Sequence, residues 1–227
     1  MIVIMKLVTF QSLAALKYLI NHGELICDEK FIDKTKTAPT YNWLINKMNE
    51  QVPNHTTATY PLWCWVKCYN SICPLKHRGP KVEGFDVKIT FHKSENDVFI
   101  TDFRRFSFVL NNIFIPNNQQ EKEEFFEKIK QLNITLEDLK MLTRPDKYKS
   151  HRNDDEYINI CQEIRSSFDR CITNNSDILQ GCIWNIKLSE VESIEILKED
   201  GYTYGSLNYK RSNGKRIDWQ KDYYKLL

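Results

Sequence analysis

The stretch Tyr60-Pro61-Leu62-Trp63-Cys64-Trp65-Val66-Lys67-Cys68 leaves its backbone few choices. Aromatic and β-branched residues favour an extended conformation, and side chains two apart in a strand share a face. Trp63 and Trp65 therefore form one aromatic wall, while Cys64 points with Leu62 and Val66 to the other side. Pro61 has no N–H to give to a ladder, so the strand begins at a sheet edge or ahead of its pairing. A wall of this kind serves as core, as a stacking platform for a flat ligand, or as the lip of a cleft.

Strands and helices mix along the rest of the chain. Residues 2–10 read as a central strand. Ser12 caps a helix whose Leu13, Leu16, Leu19 and Ile20 share a face, and Gly23 stops it. Thr40, after Pro39, starts a second helix with Trp43, Leu44 and Met48 inward. Residues 70–84, with two prolines and two glycines, form a loop. Phe85-Asp86-Val87-Lys88-Ile89-Thr90-Phe91 alternates as a half-exposed strand does. After a short strand at 97–101, Asp102 caps a helix with Phe103, Phe106, Leu110 and Ile113 on its buried stripe. A charged helix over 119–132 turns Phe125, Phe126, Ile129 and Leu132 inward, and Thr135 with Asp138 resembles a capping box. Residues 144–155 form an exposed connection. Tyr157, Cys161, Ile164, Phe168 and Cys171 make the strongest helical stripe. Strands at 179–186 and 193–197 follow, separated by a turn in which Ser189 and Glu192 form a capping box. Without regular βαβ alternation the expected class is α+β, a mixed or antiparallel sheet flanked by helices.

The 227 residues suit one domain over 1–200 with an extension over 201–227, and 41% hydrophobic residues supply a core. A net charge of +2 gives no global basic field for nucleic acid. No apolar run approaches the roughly 20 residues that span a bilayer, so no membrane partner is expected. The apolar opening Met1–Val8 lacks a basic n-region and a small-residue cleavage site, and reads as a buried strand. Seven scattered cysteines, an odd number, suit free thiols in a reducing cytoplasm.

The extension is different in character. From Tyr202 to Leu227 tyrosines and a tryptophan interleave with basic residues, a pattern that binds single-stranded nucleic acid through stacking and phosphate contacts. It equally describes a terminal hairpin turning at Ser212-Asn213-Gly214 and packed on the domain.

Several segments together resemble a family of small, mostly bacterial proteins that carry a domain of unknown function. They are Leu7-Val8-Thr9-Phe10-Gln11, Gly23-Glu24-Leu25, Tyr41-Asn42-Trp43-Leu44, Tyr60 to Trp65, Phe99 to Phe103, Ser167 to Arg170, and Gln180-Gly181-Cys182-Ile183-Trp184. The resemblance spans about residues 5–197 and leaves the tail outside. Where that family's pattern has a Trp-His pair after its Asp-Phe element, this chain has Phe106-Ser107.

More distantly, the opening resembles the start of ADP-ribosyltransferases. In that family a strand ending in a polar residue holds NAD, and a helix and a glycine follow. The resemblance implies that Thr9 and Gln11 hold the NAD ribose and that Trp63 or Trp65 faces the nicotinamide. A carboxylate would also be needed to stabilise an oxocarbenium-like transition state. Gln180 stands on the late strand where the family's acid is expected, and Asp102 is the other polar candidate. Thr9, Gln11, Trp63, Trp65, Asp102 and Gln180 are accordingly expected to line one cleft, with NAD as cofactor and an unknown acceptor of ADP-ribose. The alternative is a non-enzymatic module that engages a protein or RNA through the same aromatic cleft and residues 202–227.

Cys64, Cys68, Cys73 and His77 would complete a tetrahedral zinc set if the strand ended between the first two. Otherwise they are free cysteines behaving as small hydrophobes. The five histidines show no local pairing with a cysteine that would mark a nucleophile.

Overall fold

A computed structural model of the chain describes residues 3–27, 34–72, 85–135, 138–139, 155–197 and 203–208. The elements are β1 (Ile4–Gln11), α1 (Leu13–His22), β2 (Glu24–Ile26), α2 (Lys34–Gln51), β3 (Leu62–Cys68), β4 (Val87–Ser94) and β5 (Phe99–Asp102). Then come α3 (Phe103–Leu110), α4 (Gln119–Gln131), α5 (Asp155–Ser167), β6 (Ile178–Ile183), β7 (Asn185–Lys187), β8 (Val191–Leu197) and β9 (Thr203–Asn208). The protein is α+β. It gathers into two compact units, Met1–Asp28 with Met48–Phe99 and Asp177–Leu227, and Glu29–Lys47 with Ile100–Ser176. Two of the four unit boundaries fall inside α2 and inside β5. None of the described helices is long and apolar enough to cross a membrane.

The first unit is built on an antiparallel sheet with strands in the order β6-β3-β1-β4-β8-β9. One face carries Leu7, Ile89, Phe91 and Ile194, all fully buried. Burying side chains of this size stabilises by roughly 1.5–3 kcal/mol each. Local chemistry delimits α1: the Ser12 hydroxyl accepts the Ala15 N–H at 3.1 Å, and Gly23 at φ 75° returns its N–H to Leu19. The left-handed conformation at Gly23 is one that glycine adopts without a Cβ clash. β3 enters its ladder at Leu62, one residue after Pro61. A smaller ladder pairs β2 with β7.

The second unit is helical. Trp43 packs edge-on to Phe168 at 5.7 Å, and Phe114 stacks on Phe125 at 4.1 Å. Arg170 ties it together by covering the Phe114 ring, pairing with Glu121 and donating to the Ile115 carbonyl. Tyr157, Cys161, Ile164, Phe168 and Cys171 are buried as their spacing implies. Thr135 and Asp138 exchange hydrogen bonds as a capping box does.

Several expectations are corrected. α2 starts at Lys34, six residues ahead of Thr40, so Pro39 lies inside the helix. α3 buries Phe106 and Val109 and leaves Phe103 and Leu110 exposed, because two turns set by the Asp102 cap present a narrower stripe, and Ile113 lies exposed beyond the helix end. Phe126 on α4 is exposed as well. Ser189 does not cap with Glu192. Glu190 accepts the Lys187 N–H, and Glu192 reaches across the sheet to Lys6 and His92. Most of the 70–84 loop, the 144–154 connection and the Ser212–Gly214 turn lie outside the described residues, but the tail begins as a strand, β9, paired to β8.

Candidate functional site

Register decides which candidate side chains can meet. Val8 of β1 stands opposite Trp65 of β3, and Trp65 stands opposite Gln180 of β6. Directly paired residues share a face, and so do residues two apart on one strand. Trp63, Trp65, Gln180 and Cys182 therefore share one face, with Val8 and Phe10 beside them. Phe10 stacks on Phe85 at 5.6 Å, which extends the aromatic surface. The two indoles are half-buried and Gln180 is buried. Lys88 of β4, directly opposite Phe10, continues this face and is ion-paired there with Glu195 of β8.

Thr9 and Gln11 lie on the opposite face, paired with Ile89 and Val87. Thr9 is 2% exposed. Its hydroxyl donates to the Trp63 carbonyl at 2.7 Å and accepts from the Gln11 side-chain amide at 2.9 Å. The two polar groups thus bind β1 to β3 instead of opening onto the indoles. Asp86 accepts the Leu13 N–H at 2.9 Å and so fixes the start of α1 beside them.

Asp102 belongs to the second unit. Its carboxylate caps α3 by accepting the Arg105 N–H at 2.8 Å and also takes the Ser176 hydroxyl at 2.5 Å. The six expected cleft residues are thus divided. Trp63, Trp65 and Gln180 come together, Thr9 and Gln11 sit behind them, and Asp102 serves as a helix cap.

The zinc pattern is divided too. Cys64 pairs with Gly181 and Cys68 with Ile178, because Val66 is an extra residue bulged out of the ladder. Gly181 and Ile178 are three apart, so the two cysteines face opposite ways. Cys64 donates to the Gly181 carbonyl, and burial pushes its thiol up to about 12, far from the thiolate that zinc requires. Cys73 and His77 lie outside the described residues. Among those described, no three His, Cys, Asp or Glu side chains are placed to hold a metal.

A second polar constellation was not foreseen. Lys93, 5% exposed, continues the buried stripe of Val87, Ile89 and Phe91. Its ammonium donates to both Glu190 oxygens at 2.9 Å and to Asn185 at 2.7 Å, and Asn185 donates on to Glu24 at 2.5 Å. Beside it, Glu192 is the bulged residue of β8, since Phe91 pairs with Val191 and Thr90 with Ser193. The bulge aims its carboxylate at Lys6 (2.6 Å) and His92 (2.7 Å), and the Lys6 bond in particular holds it below the usual glutamate range. Both groups line a groove of about 610 Å³ at this end of the sheet, with Asp97 and Ser189. The signal in the sequence is a lysine at the position where the alternation calls for an apolar residue.

Fold and site define an antiparallel-sheet α+β protein with an aromatic face on one side of the sheet and a charged groove at one end. The chain belongs to the family described as domain of unknown function DUF3841, whose model matches residues 6–192. No curated protein and no solved structure matches it.

Proposed function

We propose that the protein binds a flat, uncharged ring of the nicotinamide or nucleobase type against Trp63 and Trp65, with the Gln180 amide recognising the ring's polar edge. The observation that carries this reading is the shared face of the two indoles with Gln180 directly across from Trp65. Stacking on an aromatic side chain contributes about 1–3 kcal/mol per ring, and an amide supplies both a donor and an acceptor for edge recognition. NAD and simpler nucleotides are the ligands of this class.

Binding without transfer is the better-supported form. Stabilising an oxocarbenium-like transition state takes a carboxylate beside the scissile bond, and β1, β3 and β6 contain no acidic residue. Glu195 on β8 is ion-paired with Lys88. It lies three strand spacings from β3, roughly 14 Å at about 4.8 Å per strand. Thr9 and Gln11, behind the indoles, do not fit a ribose grip on this face. A reducing cytoplasmic setting agrees with the six described cysteines, all free thiols.

The test is calorimetric titration of NAD, AMP and nicotinamide mononucleotide into the wild type and a Trp63→Leu, Trp65→Leu variant, both checked for folding by circular dichroism. Saturable binding that weakens tenfold or more in the folded variant is expected. A folded wild type that takes up none of the three at millimolar concentration overturns the reading. A single-stranded oligonucleotide in the same series tests the competing module, in which residues 202–227 engage RNA.

A further inference from the structure

The row of side chains that starts at Gln180 and Trp65 ends in two hydroxyls. Thr90 of β4 pairs with Val8 of β1 on one side and with Ser193 of β8 on the other. Val8 in turn pairs with Trp65, and Trp65 with Gln180. One row therefore crosses the face as Gln180, Trp65, Val8, Thr90 and Ser193. Thr90 is 5% exposed, and a hydroxyl so buried ordinarily has a partner. Thr9, buried on the other face, has two. Among the described residues the side chains of Thr90 and Ser193 have none. No side-chain oxygen of those residues is sealed away from the surface without a partner. The Thr90 hydroxyl therefore opens onto the indole face, beside that of the half-buried Ser193.

The face thus changes character across its width. β3 and β1 present aromatic rings, and β4 and β8 present hydroxyls, with Thr90 two strand spacings, roughly 10 Å, from Trp65. In the neighbouring row Lys88 and Glu195 form an ion pair at 2.8 Å. That pair is charge-balanced, so it borders the hydroxyls without a net charge to draw a phosphate. A ring seated on the indoles directs a substituent on its far edge over β1 toward Thr90 and Ser193.

We propose that Thr90 and Ser193 form a sugar subsite, and that the ligand of this face is a ribonucleoside. Its base lies on Trp63 and Trp65, and its cis-diol meets the two hydroxyls. This subsite rests on the ring-binding reading and names the class of its ligand. Each side-chain hydroxyl donates one hydrogen bond and accepts two, as each ribose hydroxyl does. The match is therefore one of alternating donors and acceptors.

Calorimetric titration of adenosine, 2′,3′-dideoxyadenosine and adenine, with uridine and 2′,3′-dideoxyuridine alongside, tests it. The wild type should bind at least one ribonucleoside tenfold or more tighter than its dideoxy analogue. Thr90→Val keeps the shape and, because no described residue uses the hydroxyl, should unfold at an unchanged urea midpoint. Ser193→Ala, at a half-buried position, is the second variant. In each, the ribonucleoside should fall toward the affinity of the dideoxy compound, whose own affinity should not move. Equal affinity for ribo and dideoxy compounds in the wild type overturns the sugar subsite and leaves the ring-binding reading in place. So does a preference that survives in both folded variants. A wild type that takes up neither the base nor any of the nucleosides at millimolar concentration overturns the ring-binding reading, and the subsite with it.

Discussion

The Thr9 hydroxyl donates to the main-chain oxygen of Trp63 at 2.7 Å, so the residue expected to hold a ligand instead anchors the strand that carries the indoles. Thr9→Val keeps the shape and removes both this donor and the acceptor that Gln11 uses. Losing a side-chain hydrogen bond of this kind costs about 0.5–1.5 kcal/mol. Urea unfolding of Thr9→Val should show a loss of that size with an unchanged m-value. Gln11→Ala, at a half-buried position, should cost less than half as much. A neutral Thr9→Val would mean that the bond contributes nothing to the sheet.

Lys93 and Glu190 form a charge pair whose ammonium is almost fully enclosed. Removing one partner strands the other, which costs about 3–5 kcal/mol in buried sites, whereas an apolar replacement of both is often tolerated. Glu190→Leu and Lys93→Met should each destabilise strongly, and the double variant should recover much of the loss. A double-mutant cycle on denaturation midpoints measures the coupling. Additive losses would show that the two side chains act independently.

Features set by neighbours in the chain were legible in the sequence, and features set by pairing were not. The Ser12 and Asp102 caps, the Gly23 stop and the Tyr157–Cys171 stripe all depend on residues within a turn or two, and each stands where its spacing put it. The cleft does not. Whether Thr9 shares a face with Trp63 depends on how β1 pairs with a strand 54 residues away, and one position of register exchanges the faces. Cys68 faces away from Cys64 for a related reason, because the bulge at Val66 shifts the alternation by one residue. Lys93 was visible as an exception to its stripe, but its partners lie 92 and 97 residues further on.

Gly181 is packed too tightly for any side chain. A Cβ there would lie 2.7 Å from the Val98 Cγ1 and 2.9 Å from the Cys64 Sγ. Overpacking of this kind costs about 1–3 kcal/mol. Gly181→Ala should lose about that much in chemical denaturation, and adding Val98→Ala should restore part of it by removing the nearest atom. No rescue would locate the strain in the backbone.

Thiol chemistry separates the six described cysteines. Burial pushes Cys64 and Cys171 up to about 12, and the nearby Asp169 and Asp102 carboxylates add to the shift at Cys171. Cys182 is fully buried, while Cys27 and Cys68 are half-exposed. Iodoacetamide applied to the native protein near pH 8 should modify Cys27 and Cys68 first and spare the other four, Cys64, Cys161, Cys171 and Cys182, until the protein unfolds. Rapid native labelling of Cys64 would place a reactive thiolate on β3 and reopen its candidacy as a metal ligand.

Glu192 gives the groove its acid dependence. Its bond to Lys6, followed by that to His92, depresses the carboxyl below the ordinary glutamate value near 4.5. A depressed carboxyl stabilises the fold fully above its unfolded pKa, and the contribution is lost as pH falls through the folded value. Wild type should therefore exceed Glu192→Gln in Tm above about pH 5. The margin should shrink below about pH 4.5 and vanish at more acid values, as measured by thermal melts in matched buffers. A margin unchanged down to pH 3 would show that the ion pairs to Lys6 and His92 do not contribute to the folded state.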